Sequence, residues 1–420
     1  MQRLLGLLSG HIAARLLALF AFLVLATYLG LLLVDDVRAG DRLFLRDYYC
    51  FYRAGELVLS GGTGYEDEYR TFANPPFTLP VVAAIALAGP DGSYWVCLGL
   101  GTILTVLGML ALAQIPGVDR RYRLTMILAA LASPSLTFAL HHGQATPVYL
   151  FLSAIVIYGW CAERDVVAGI AAGLLCAKPP LAIAVLAIGT VSRPRAFTIA
   201  WVSTLAALLA VSAPFGLESW RGFRGAVDTL VERHETATNS WRIQLTFYAF
   251  VRMLIWKIMG SPEDALRGRE IARGLALVTS AAAGAWGLAL RVRARADWHL
   301  PTHRVERMVR LGSMAMLATI ALNLYLFYYD SALALIPTMF LFTHESAWRS
   351  RARWWLALVL AMAIWIAQVL PMLWNDGPNP IGLLALVWLG LELTELGAIP
   401  ASSQAARDAP PTALAPHEAS

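Results

Sequence analysis

The sequence predicts an all-α fold, a polytopic membrane helical bundle of about ten to thirteen transmembrane helices with an additional interfacial helix in its first outer loop. Three observations support this. Hydrophobic residues make up 58% of the 420 positions and charged residues 15%, with a mean hydropathy of +0.60; a soluble domain carries about 25% charge. The apolar runs are long and continuous rather than alternating, and hydrocarbon admits only structures that satisfy every backbone group internally, which favours helices. The basic residues lie in short segments between those runs, where they report topology. All but two of the 33 basic side chains are arginine, the lysines being Lys178 and Lys257. The net charge of +5 therefore gives no reason to expect nucleic acid as a partner.

The first span is expected within 12–34. Arg3, His11 and Arg15 precede the run Leu16–Val34, which is too long for a signal-peptide core and lacks a small-x-small cleavage site after it. It reads as an uncleaved span with its N-terminus in the cytoplasm. The outer loop 35–75 follows, and within it Tyr48–Leu59 reads as a helix stopped by Gly61-Gly62. Asp47 stands at the start of that helix, where the dipole favours a carboxylate. It is either a plain cap or a general base held at the membrane surface. The acidic stretch Glu66-Asp67-Glu68 reads as a solvated loop, and Pro75-Pro76 sets the entry angle of the next helix.

Further apolar runs lie near 76–88, 93–113, 124–141, 145–161, 166–191, 196–215, 244–260, 270–290, 309–327, 331–343, 353–373 and 380–396. Several are shorter than the roughly 20 residues a straight span requires, so some are tilted, half-length or re-entrant. Residues 1–396 form one domain; 216–243 reads as a second long loop, charged and carrying Trp220, Trp241, Arg221 and Arg224; the tail 397–420, rich in Ala, Pro and Ser, reads as disordered. The basic clusters Arg120–Arg123, Arg193–Arg195, Arg291–Arg310 and Arg349–Arg353 should share the cytoplasmic face. Three apparent spans separate each neighbouring pair of the first three clusters, which would place them on opposite faces unless a run is broken. The run 166–191, interrupted at Lys178-Pro179-Pro180, is the natural place for a break.

Four features could carry chemistry besides Asp47. His141-His142-Gly143-Gln144 lies between two runs; adjacent histidines do not face one another on a helix, so a sugar or phosphate contact, or simple loop hydrogen bonding, fits better than zinc. Lys178 lies deep in an apolar run, either snorkelling or binding a lipid phosphate. Gly169 and Gly173 upstream form a small-residue face for close helix packing. Asp330 in Tyr328-Tyr329-Asp330 either aligns a substrate hydroxyl or caps the next helix. Four scattered cysteines show no C-x-x-C and no metal spacing.

Taken in order, Asp47-Tyr48, Tyr52-Arg53-Ala54, Ser60-Gly61-Gly62, Tyr65, Phe72 to Pro76, Gly143-Gln144, Gly169 to Pro179, and Tyr329-Asp330 with Pro337 resemble the pattern of glycosyltransferase family 87. Those enzymes are polyprenol-phosphate-mannose-dependent membrane transferases of the GT-C superfamily. The resemblance implies transfer of a mannose-like hexose from a polyprenyl-phosphate donor, with inversion, to a glycan, glycolipid or protein acceptor. It implies a multi-pass protein of a bacterial inner membrane with its active site facing the periplasm. It assigns the general base to Asp47, with Asp41 as the backup, and phosphate binding to Lys178, Arg221 and Arg224. Tyr48, Tyr52, His142, Gln144 and Asp330 complete the implied substrate site. No cofactor is implied with certainty; a divalent metal is possible but not indicated. A transporter or flippase for a lipid-linked substrate is the rival reading, since such proteins also use broken helices and buried charges.

Overall fold

The computed structural model describes residues 47–66, 72–193, 195–236, 244, 246–259, 262–293, 304–323, 326–344, 348, 350–368 and 379–397. The expected first span, Asp41, Asn375 and the tail beyond 397 lie outside the described residues. Within them the fold is all-α: the helices are joined by short turns, and the only extended pairing is an isolated antiparallel bridge between Gln244 and Phe327.

The first described helix, α1 (Tyr48–Leu59), has the expected bounds, and Gly61 beyond its end takes φ +90°. Pro76 opens a 3-10 turn leading into α2 (Leu79–Ala86), an apolar helix too short to cross a bilayer. Helix α3 (Gly89–Leu112) is long and apolar enough to do so. The run 124–141 is broken into α4 (Arg123–Leu131) and α5 (Pro134–His141), bent by 61° at Ala132-Ser133, because Pro134 cannot continue a helix whose preceding residue is extended. Helix α6 (Thr146–Cys161) is followed by α7 (Asp165–Leu174), a 3-10 turn at Leu175–Ala177, and α8 (Pro179–Ser192). Then comes α9 (Arg195–Ser212), again apolar enough to span. The segment expected as a loop after it is instead largely helical, as α10 (Gly216–Thr236). Its polarity hides an aromatic face: Trp220 packs on Phe77 and Phe223 on Tyr65. The remaining helices are α11 (Phe247–Met259), α12 (Pro262–Arg293), α13 (Arg304–Leu322), α14 (Leu335–Thr343), α15 (Arg351–Ala367) and α16 (Ile381–Gly397).

Two glycines set the contact between α7 and α9. A Cβ on Gly169 would lie 2.6 Å from the Ala200 methyl carbon, and one on Gly173 would lie 2.6 Å from Thr204 Cβ. Both separations are below any real contact, so α7 and α9 touch backbone to backbone and run parallel. Helix α8 returns between them, antiparallel to α13: Asn323 Nδ2 donates to Pro180 O (2.6 Å) at one end, and Arg193 reaches Met308 Sδ (3.2 Å) at the other.

These pairings give the bundle two distinct ends. Arg193 bonds Asp165, Arg304 pairs with Glu163, His344 Nε2 meets Pro116 O, and Arg353 bonds Glu395 (2.8 Å). The described members of all four basic clusters therefore gather at one end. The break at Lys178 explains how: α7 and α8 each traverse the bundle, so the chain makes an even number of crossings between Arg123 and Arg193. With ten residues and a 3-10 turn in α7 and fourteen residues in α8, each rises only about 21 Å, short of a hydrocarbon core of about 30 Å. The Lys178 corner is thus recessed below the opposite surface. Large apolar side chains on α9 stay exposed (Ile199 64%, Val202 46%, Leu209 46%), which water would penalise and hydrocarbon does not.

Candidate active site

At the end opposite the arginines, the starts of α1, α6 and α8 converge with the turn before α14. Asp47 precedes α1 but makes no side-chain cap on it; its carboxylate accepts a hydrogen bond from Gln144 Nε2 at 2.5 Å. The contact is set by the neighbouring residue. Tyr48 is buried, packs its ring 5.3 Å from that of Tyr94, and donates its backbone N–H to His142 O at 2.8 Å. Gly143 lies directly over Tyr48 with φ +65°, and a Cβ there would overlap Tyr48 Cβ. Only glycine lets this turn close onto α1 and hold Gln144 over Asp47.

Two residues beyond Gln144, Thr146 Oγ1 donates to Asp330 Oδ1 at 3.2 Å. Lys178 Nζ lies 2.7 Å from both oxygens of the same carboxylate, and the Phe327 N–H donates to Oδ2 at 3.2 Å. Asp330 is fully buried, whereas the Lys178 side chain keeps 21% of its surface. A buried carboxylate is tolerable only when a cation and further donors satisfy it, and here all are present. The ammonium sits between the rings of Tyr329 (5.3 Å) and Tyr149 (5.7 Å), which shield it on two sides. Since the Cα atoms of Gln144 and Thr146 are at most about 7.6 Å apart, one short segment contacts both acids.

The carboxylates differ in what they can do. Asp330 is neutralised by Lys178 and closed to solvent. Asp47 is half-buried, and the side-chain amide of Gln144 holds its carboxylate. Lys178 has three N–H donors, two directed at Asp330, and its partial exposure leaves a direction from which an anion can approach.

His142 stacks on Phe138 with ring centroids 3.9 Å apart and stays half-buried beside the Asp47 turn. Tyr52 lies further along α1, and its hydroxyl donates to Glu56 (3.0 Å). Burial and that bond raise its pKa, so it stays a protonated donor. Arg221 and Arg224 stand well exposed on α10 and pair along the helix with Glu218 and Asp228. The Lys178–Asp330 contact forms without either arginine. Among the described residues no group of three or more His, Cys, Asp or Glu side chains is placed to hold a metal ion.

Sequence reasoning missed Thr146, Tyr149 and Gln244. Thr146 and Tyr149 lie three residues apart on α6, a spacing that places them on one face. Gln244 is 2% exposed, its Nε2 has no hydrogen-bond partner among the described residues, and its backbone bridges to Phe327 of the Asp330 turn. Nothing local in the sequence marks it.

A comparison with curated proteins returns no match. The model of glycosyltransferase family 87 matches residues 72–318, more than half of the chain, and that stretch contains Gln144, Thr146, Lys178 and Gln244. Asp47 and Asp330 flank it on either side. On this match the chain belongs to glycosyltransferase family 87.

Proposed function

We propose that this membrane glycosyltransferase transfers a mannose-like hexose from a polyprenyl-phosphate donor to an acceptor hydroxyl on the periplasmic face, with inversion and with Asp47 as general base. The observation that carries the reading is the pairing of an amide-held, half-buried Asp47 with a recessed, partly exposed Lys178 in one site. The Gln144 amide fixes the orientation of the Asp47 carboxylate, which a general base needs. The acceptor oxygen forms its bond to the anomeric carbon as its proton passes to Asp47, and the bond from that carbon to the lipid phosphate breaks. The departing phosphate takes up negative charge, and the remaining N–H of Lys178 is available to it. Gln244, with an amide still unpaired, adds a donor on the Phe327 side.

Orientation supports the same reading. The arginine clusters share one end, which the positive-inside rule assigns to the cytoplasm, so the site opens on the other face. Helix α10 at that end carries three arginines against four acids, consistent with a non-cytoplasmic location. The recessed Lys178 corner, reached through short helices, suits a phosphate on a lipid chain lying at the membrane surface.

The test is product analysis after incubating purified protein in lipid nanodiscs with labelled polyprenyl-phosphate mannose and membrane glycolipids. A new labelled glycoside, lost in Asp47→Asn, is expected. Movement of the labelled lipid across vesicles with no covalent product would replace the transferase reading with that of a flippase.

A further inference from the structure

We propose that the arginine end of the bundle, opposite the active site, holds a specific site for an anionic phospholipid headgroup. A cavity of about 490 Å³ lies between the start of α4 and the hairpin of α14 and α15, lined by Tyr122, Phe342, Trp348, Ser350, Arg351 and Trp354 among others. Its walls are fixed. Trp354 Nε1 donates to Leu341 O at 3.0 Å, and Trp348 covers the guanidinium of Arg310 at 4.9 Å.

The charge is unbalanced toward an anion. Arg310 bonds Glu392 and Arg353 bonds Glu395, each at 2.8 Å, so the acids that close this end are already paired. Arg351 is exposed and makes no ion pair among the described residues, and Ser350 beside it makes no side-chain cap bond. Arg123, next to Tyr122 in the chain, keeps a buried Nε–H without a hydrogen-bond partner among the described residues. Four aromatic residues, an arginine and a serine hydroxyl are side chains suited to hold a phosphodiester at a membrane interface.

The surroundings decide between a lipid and a soluble anion. From the cavity an exposed apolar stripe runs down α15 through Trp355, Val359, Met362 and Ile366, at successive helical turns (44%, 58%, 58% and 63% exposed). Leu124 at the start of α4 and Phe342 at the end of α14 are exposed on the same apolar rim (62% and 40%). An ion arriving from water needs no such track, whereas a lipid held by its headgroup lays its chains along one.

The test uses the full chain in detergent, titrated with phosphatidylglycerol or phosphatidylcholine and read by native mass spectrometry and tryptophan fluorescence. One phosphatidylglycerol should bind at least tenfold more tightly than phosphatidylcholine. Arg351→Gln, an exposed change that leaves the fold intact, should weaken it about fivefold, and Arg351→Lys should restore it. Equal affinity for the two lipids, or an unchanged Arg351→Gln, overturns the proposal. Competition by inorganic phosphate at matched concentration overturns it in favour of a soluble anion.

Discussion

Lys178 and Asp330 are 152 residues apart in sequence, yet the ammonium of one lies 2.7 Å from both carboxylate oxygens of the other. The pair joins a helix break to a 3-10 turn, tying the point where the chain reverses to the start of the segment before α14. Each residue had two readings in the sequence, and the contact recasts both. Lys178 does not snorkel to a surface. Asp330 is bound by a cation and two further donors, in addition to lying at the start of its turn.

Removing one member of this pair should be worse than removing both. Lys178→Ala leaves an uncompensated buried carboxylate and should destabilise the protein by about 3–5 kcal/mol, while raising the donor KM of the folded fraction. Lys178→Met with Asp330→Leu should recover most of the stability and none of the activity. Thermal unfolding in detergent, measured beside transfer rates, separates the two effects.

Asp47→Asn keeps an oxygen acceptor for Gln144 and nearly the same shape while removing the negative charge and the proton-accepting group. Transfer should fall about 10²- to 10⁴-fold with unfolding temperature and donor binding preserved. Activity within a few-fold of the parent would remove Asp47 as the base.

Gly143→Ala tests the turn that aims Gln144. A side chain at φ +65° is strained by about 1–3 kcal/mol, and this one also meets Tyr48. Both unfolding temperature and kcat should fall, and Tyr48→Ala in the same chain should not restore them, because the Tyr48 Cβ that the new methyl meets is retained.

At the opposite end, burial lowers the pKa of His344, aided by Arg310, although its contact with Pro116 O acts the other way. A base whose folded pKa is depressed is protonated first in the unfolded chain. Stability from its neutral form is therefore complete above about pH 6.5 and declines as the pH falls below that value toward the folded pKa. His344→Gln should flatten this part of the stability profile relative to the parent, as read by unfolding temperature between pH 7.5 and 5.

Much of the architecture was legible in the chain. The bounds of α1, the break at Lys178-Pro179 and the close face at Gly169 and Gly173 follow from local rules: a glycine stop, a proline that cannot continue a helix, and small side chains four residues apart. Helix α10 was not legible as a helix, because its charges obscured the Trp220 and Phe223 face that packs on Phe77 and Tyr65. Counting apolar runs alone left the crossings unresolved, and the break at Lys178-Pro179 supplies the additional one between Arg123 and Arg193.

What the sequence determined by itself is what proximity along the chain encodes: an all-α membrane protein, an acid placed at the start of an interfacial helix, and a lysine at a helix break. Tertiary structure decided which of these meet. Gln144 reaches Asp47 across 97 residues, Lys178 reaches Asp330 across 152, and Gln244 arrives at the Asp330 turn with an amide still unpaired. Hydropathy is a sum over neighbours and carries no information on such pairings. They depend on how glycine faces and broken helices let distant backbones approach, and on the need of each buried charge for a partner.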